Sequence, residues 1–280
     1  MDARGLLRQW NLRPSKELGQ NFLCNQAVLE KIIAAAELTP DDIVLEIGAG
    51  VGTLTELLAQ AAGRVVAVEL DERLIPVLQS VLTNFENITL IQGDILALNP
   101  AILINTPNPH YKVVANLPYY ITSAALRHLL EANLKPQCMV LTVQREVAER
   151  ITAEPGQMSL LAVSVQFYGR PRLLFRIQPG SFYPAPGVES AVVRVDTHTA
   201  PPVDVEDEDV FFRIVRAGFS QRRKQLRNSL SAGLGKPPGE VAAGLEKAGI
   251  DSRRRAQALS LKEWARVTQS LGSFSGKEGG

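Results

Sequence analysis

The sequence predicts an α/β protein: a doubly wound, mostly parallel sheet of seven strands, followed by a small all-helical domain. Three observations carry that expectation. Between residues 43 and 143, short β-branched runs alternate with stretches of helical apolar spacing, the pattern of successive βαβ units. The first of those runs leads straight into a glycine-rich loop that opens a helix. Beyond Pro201-Pro202 the β-branched runs cease and only helical patterns remain.

Residues 1–25 form an N-terminal arm ahead of the first unit. Strands are expected within the runs 43–47, 64–69, 88–94, 112–116 and 137–143, each too short for a helix. Helices are expected from Thr53, over residues 71–82, and over 122–130 with Thr122 or Ser123 as N-cap. Residues 159–168 are apolar without a deciding period, and a helix is the preferred reading. Leu173 to Ile177 and Ala191 to Val195 read as an antiparallel pair that completes the sheet. Pro201-Pro202 and the acidic run after it look like a linker, which sets a large domain at 1–200 and a helical one at 201–272. That second domain should hold helices over 211–230, 239–248 and 260–271, with a disordered tail at 273–280.

A chain of 280 residues, 45% hydrophobic and 21% charged, has the composition of a globular protein with one large core and a smaller domain. No apolar run approaches the roughly 20 residues of a membrane helix, and the N-terminus lacks the apolar core of a signal peptide. A cytoplasmic address is the expectation. Cys24 and Cys138 stand apart, and His110, His128 and His198 are scattered, which supports neither a disulfide framework nor a metal site. The net charge of +1 conceals an uneven distribution: residues 204–209 carry five acids, whereas residues 210–230 carry Arg213, Arg216, Arg222, Arg223, Lys224 and Arg227 and no acid. Arg253, Arg254 and Arg255 form a further basic run. Such clusters suit a phosphate-rich partner, although any one of them can be a solvated helix face.

The loop Glu46-Ile47-Gly48-Ala49-Gly50-Val51-Gly52 ends the first strand. Gly48 and Gly50 let the backbone approach a ligand closely. A dinucleotide fingerprint would place a third small residue two positions farther along, where this chain has Thr53 or Thr55. Glu46 directly before the loop suits an ammonium- and sulfonium-bearing cofactor better than a phosphate-bearing one. Glu69 closes the second strand about 20 residues on, where a carboxylate can accept from both ribose hydroxyls. Asp94 follows the third strand and can accept from an adenine amine, with Ile95 against the ring. Acids at successive strand ends point to S-adenosylmethionine (SAM) and a Rossmann-like methyltransferase fold.

Asn116-Leu117-Pro118-Tyr119 follows the fourth strand. The Asn116 amide oxygen and the Leu117 carbonyl are two acceptors for one exocyclic amine, Pro118 stiffens the turn, and Tyr119 offers a flat face for a base. An X-Pro pair is also a common strand terminator. At the carboxyl edge of an open sheet, however, the turn sits where such folds bind ligands.

These segments, together with Leu18-Gly19-Gln20-Asn21-Phe22-Leu23, Gln144-Arg145-Glu146-Val147-Ala148, the stretch from Phe182 through Tyr183-Pro184-Ala185-Pro186 to Ser190, and residues 219–228, occur in one order over nearly the whole chain. In that order the chain resembles the KsgA family of ribosomal RNA adenine N6,N6-dimethyltransferases, which also includes the erythromycin-resistance methyltransferases. The resemblance implies that Gln20, Asn21 and Leu23 line the SAM pocket beside Gly48, Glu69, Asp94 and Asn116. It implies a target adenine held between Tyr119 and Phe182, whose ring precedes a Pro-x-Pro loop. It further implies, as substrate, two adjacent adenines in the hairpin near the 3′ end of 16S rRNA, met in immature small ribosomal subunits; a monomer without a metal is the expectation. A basic helix with Arg222, Arg223, Lys224 and Arg227 would grip phosphates. The sequence departs from the family where Pro155 replaces a usual Tyr. Rival readings are a macrolide-resistance enzyme acting on large-subunit rRNA, an assembly factor acting mainly by binding, and a DNA or small-molecule N6-methyltransferase.

Overall fold

The computed structural model describes residues 3–106 and 110–272; the tail expected to be disordered at 273–280 lies outside them. Contacts between Cα atoms divide the chain into two units, one of residues up to Ala148 with Gly169–Thr197, the other of Glu149–Tyr168 with residues from His198 on.

The first unit begins with helix α1 (Ala3–Gln9) and a two-residue strand β1 (Phe22–Leu23), then α2 (Gln26–Ala36) and β2 (Ile43–Ile47). It continues through α3 (Thr53–Ala61), β3 (Arg64–Glu69), α4 (Ile75–Val81), β4 (Ile88–Gln92), α5 (Pro100–Ile104) and β5 (Tyr111–Asn116). After α6 (Thr122–Leu130) and β6 (Cys138–Gln144), helix α7 (Arg145–Ile151) leads to α8 (Leu160–Tyr168). Strands β7 (Gly169–Ile177), β8 (Phe182–Tyr183) and β9 (Ser190–Thr197) follow. The main sheet has seven strands in the order β4-β3-β2-β5-β6-β9-β7, and β1 pairs with β8 in a separate two-stranded ribbon. Neighbouring strands from β4 to β6 are parallel, and β9 is antiparallel to both β6 and β7.

The strands read as continuous apolar runs because both faces are covered, as a parallel sheet requires. Val65, Val66, Ala67 and Val68 of β3 are all at most 2% exposed. The entry to β5 is tied to the loop before β2 by Lys112, whose Nζ lies 2.9 Å from Asp42 Oδ2 and donates to the Glu37 carbonyl at 2.7 Å. The sheet order reverses direction between β2 and β5, so the ends of these two strands, Ile47 and Asn116, border the crevice where such sheets bind ligands. Helix α6 departs from the expected entry: a 3-10 turn, Tyr119–Ile121, runs into it, and no side chain caps it. The Thr122 hydroxyl instead donates to the Pro118 carbonyl at 3.4 Å.

The second unit contains α8, which the linker signal at residue 201 had placed in the larger domain. Helices α9 (Glu208–Phe219), α10 (Leu226–Leu234), α11 (Pro238–Lys247) and α12 (Leu261–Gly272) complete it. Aromatic packing explains the difference. Phe167 of α8 stacks on Phe211 of α9 with ring centroids 4.9 Å apart, Phe212 packs against Phe167 and Tyr168, and the Tyr168 hydroxyl donates to Glu208 at 2.9 Å. The expected helix over 211–230 is two helices, because the chain turns between Phe219 and Leu226. No helix among the described residues is long and apolar enough to cross a membrane.

Candidate active site

One cavity opens at the carboxyl ends of β2 to β5. Gly48 and Gly50 line it after β2, Glu69 and Leu70 after β3, Asp94 and Ile95 after β4, and residues 116–121 after β5, with Leu18–Phe22 of the N-terminal arm completing it. The glycines are required by shape. Both have positive φ, +74° and +63°, and a Cβ at Gly50 would stand 3.1 Å from the Phe22 ring.

Glu69 is 6% exposed, yet both carboxylate oxygens are held: Oε2 accepts from the Gly50 N–H at 2.7 Å and Oε1 from the Asp71 N–H at 2.8 Å. Burial pushes its pKa above the usual carboxylate range, against the opposing pull of those two donors. A carboxylate has about four lone-pair sites, so Glu69, which lines the cavity, retains acceptor capacity beyond these donors. Asp94 is exposed, and its Oδ1 accepts from the Leu96 N–H at 2.9 Å while Ile95 is buried beneath it.

Asn116 ends β5 with its amide oriented from the far wall: Nδ2 donates to the Asn21 carbonyl at 2.9 Å, which leaves Oδ1 as the free acceptor of that amide. Gln20 braces the arm, donating to Asp71 Oδ2 at 2.8 Å and accepting from the Ser15 N–H at 2.7 Å. Leu117 is buried, and Pro118 packs 3.7 Å from the position a Gly48 Cβ would take. The Tyr119 hydroxyl lies 2.7 Å from Ser190 Oγ.

Tyr119, Gly19, Gln20 and Asn21 also border a second, shallower cavity with Lys16, Gln144 and Tyr183–Val188. Phe182 is not among its lining. Leu23 likewise lies outside the first lining. Strands β1 and β8 pair Phe22 with Tyr183 and Leu23 with Phe182, and directly opposed residues share a face. Leu23 and Phe182, 3% and 4% exposed, pack in one core cluster, while Phe22, 6% exposed and part of a second cluster against which Tyr183 packs, edges the first cavity and Tyr183 the second. Glu46 is a third correction: it is 1% exposed, lies outside the lining, and has neither oxygen hydrogen-bonded among the described residues. Burial pushes its pKa up to about 8. Lining residues to which the motifs assigned no role include Phe22, Leu70 and Tyr120, the last 58% exposed; only adjacency to Asn21, Glu69 and Tyr119 marked them.

Arg222, Arg223 and Lys224 are exposed, but they sit on the turn between α9 and α10 rather than on a helix, and Arg227 is half-buried in the first turn of α10. The second basic run is brought beside them: the Leu226 and Arg227 N–H groups donate to the Arg254 and Ser252 carbonyls at 2.7 and 3.2 Å. Arg254 itself is engaged by Glu263. The loop at Pro155 is fastened within the same unit, where the Gly156 N–H donates to the Gln257 carbonyl at 2.9 Å and the Gln257 amide donates back at 3.0 Å.

The family model described as ribosomal RNA adenine dimethylase matches residues 11–272. A protein of Dehalococcoides mccartyi named ribosomal RNA small subunit methyltransferase A is 48% identical over 262 residues, covering 94% of this chain and 90% of its own. A protein of the same name from Pelotomaculum thermopropionicum is 46% identical, covering 96% and 95%. Among solved structures, a dimethyladenosine transferase from Plasmodium falciparum superposes with a TM-score of 0.74 at 25% identity, covering 90% and 98%. The 23S rRNA methyltransferase ErmE superposes with a TM-score of 0.72 at 29% identity, covering 90% and 100%. With its glycine loop, strand-end acids and Asn-Leu-Pro-Tyr turn gathered at one sheet edge, the chain belongs to the ribosomal RNA adenine dimethylase family.

Proposed function

We propose that this protein transfers methyl groups from SAM to N6 of two adjacent adenines in the hairpin near the 3′ end of 16S rRNA, dimethylating each. The observation that carries this reading is Asn116, whose amide is oriented by the Asn21 carbonyl so that Oδ1 remains as an acceptor at the cavity edge. The cavity suits SAM in its donor set: Glu69 retains capacity for a ribose diol, Asp94 for the adenine amine with Ile95 beneath the ring, and Gly48 and Gly50 admit close backbone approach. When bound, SAM supplies a methyl group activated by its sulfonium.

Asn116 Oδ1 and the Leu117 carbonyl accept the two N6 hydrogens of the target. That draws the nitrogen lone pair out of conjugation and stabilises the positive charge that builds on nitrogen. The proton is then lost to water. Tyr119, which lines the second cavity, is an aromatic wall for an adenine that has left its stack, a displacement least costly in a loop. The turn bearing Arg222, Arg223 and Lys224, with Arg227, holds phosphates. The substrate is the immature small subunit in the cytoplasm, bound by a monomer without a metal. The relatives at 46% and 48% identity carry small-subunit names, whereas the large-subunit enzyme stands at 29%, which favours the small subunit. Unmethylated small and large subunits, incubated separately with protein and SAM, test the reading by mass spectrometry of their adenosines. Dimethyladenosine confined to 16S rRNA is expected; methylation of 23S rRNA alone refutes it.

A further inference from the structure

The aromatic ring that borders both cavities is held from behind. Tyr119 lines both of them, and beyond the Pro118 turn its backbone is only a short 3-10 segment, which does not by itself fix a side-chain rotamer. Its hydroxyl meets Ser190 Oγ at 2.7 Å. Ser190 is the first residue of β9, fully buried, and flanked by Gln144 of β6 and Ile177 of β7. The hydroxyl that holds the ring is therefore anchored in the sheet rather than in a loop. The neighbouring Glu189 reinforces this, accepting from Arg145 and Gln178 at 2.7 Å each.

We propose that Ser190 is a positioning residue for methyl transfer, fixing the tilt of the Tyr119 ring against which the target base rests. This rests on the reading of the second cavity as the adenine site. Its consequence is sharpest in the second transfer. The monomethylated amine carries a bulky substituent and one hydrogen, so it must turn about its C6–N6 bond and present that hydrogen to an acceptor. A ring free to tilt lets the base drift, and a misplaced amine loses rate steeply.

The test uses Tyr119→Phe, which keeps the ring and removes only the hydroxyl, together with Ser190→Ala and the double variant. Single-turnover methylation of unmethylated small subunits and SAM titration are measured for each. Loss of one hydrogen bond's positioning is expected to lower the rate about threefold to tenfold in either single variant. The double variant should fall no further than the worse single, monomethyladenosine should accumulate, and SAM affinity should stay within about twofold. A merely structural role would lower the melting temperature of Ser190→Ala without changing the mono- to dimethyl ratio. Wild-type rate and product ratio in Tyr119→Phe, or rate losses that multiply in the double variant, overturn the proposal. Wild-type turnover in the same assay reports separately on the substrate, and a wild type that methylates no rRNA overturns both.

Discussion

Replacing Asn116 by Ala separates the two tasks its amide performs. The Nδ2 end donates to the Asn21 carbonyl at 2.9 Å and so ties the arm to β5. Losing a neutral hydrogen bond of this kind costs about 1 kcal/mol net, which corresponds to about a fivefold loss of SAM affinity if the arm loosens fully. The Oδ1 end acts only as charge builds on the substrate nitrogen. Removing one such preorganised partner from a transition state costs about 3 to 4 kcal/mol, on the order of 100-fold to 1000-fold in turnover. Calorimetric titration of SAM and single-turnover methylation of small subunits measure the two losses in one preparation. The turnover loss should exceed the affinity loss at least tenfold. Equal losses would mean that Asn116 serves only to hold the arm, and the assignment of Oδ1 to the amine would be wrong.

Further outcomes follow from the same geometry. Glu46 should make stability fall with rising pH: its folded pKa is about 8 against 4.5 for an ordinary glutamate, so the folded state binds the extra proton between those values. The slope approaches about 1.4 kcal/mol per pH unit there. Melts of Glu46→Gln from pH 5 to 8 should be flatter than wild type, and parallel curves would refute the assignment. Phe182→Ala should cost about 3 to 5 kcal/mol of stability, because a buried ring leaves a cavity; an unchanged melting temperature with lost turnover would return that ring to the substrate. Reversing charge at Arg222, Arg223 and Lys224 should weaken RNA binding and reduce its salt slope by about 2 to 3, with SAM affinity intact. An unchanged slope would move the phosphate contacts elsewhere.

Much of the architecture was legible in the residues. The alternation over residues 43–143 is visible because a parallel sheet buries both faces, leaving short apolar runs between amphipathic helices. Gly48, Gly50, Glu69, Asp94 and Asn116 were identifiable because each stands at or just beyond a strand end, and an open sheet gathers its strand ends at one edge; all five line the same cavity. The basic residues at 222–224 were legible as charge but not as shape, since helical spacing runs on through the turn that presents them.

What sequence alone determined about this protein is therefore its chemistry by position: which acids, glycines and amides stand at strand ends. Tertiary structure decided the parity and the partners. Whether Phe182 or Tyr183 faces a cavity depends on the pairing of β8 with β1, 160 residues earlier when counted from Phe22 to Phe182, and a two-residue strand carries no periodicity of its own. Likewise the depth of Glu46 and the anchoring of Tyr119 by Ser190 depend on which helix covers β2 and which strand stands beside β6. Local residue order contains neither, because burial and long-range hydrogen bonds exist only once distant segments have packed.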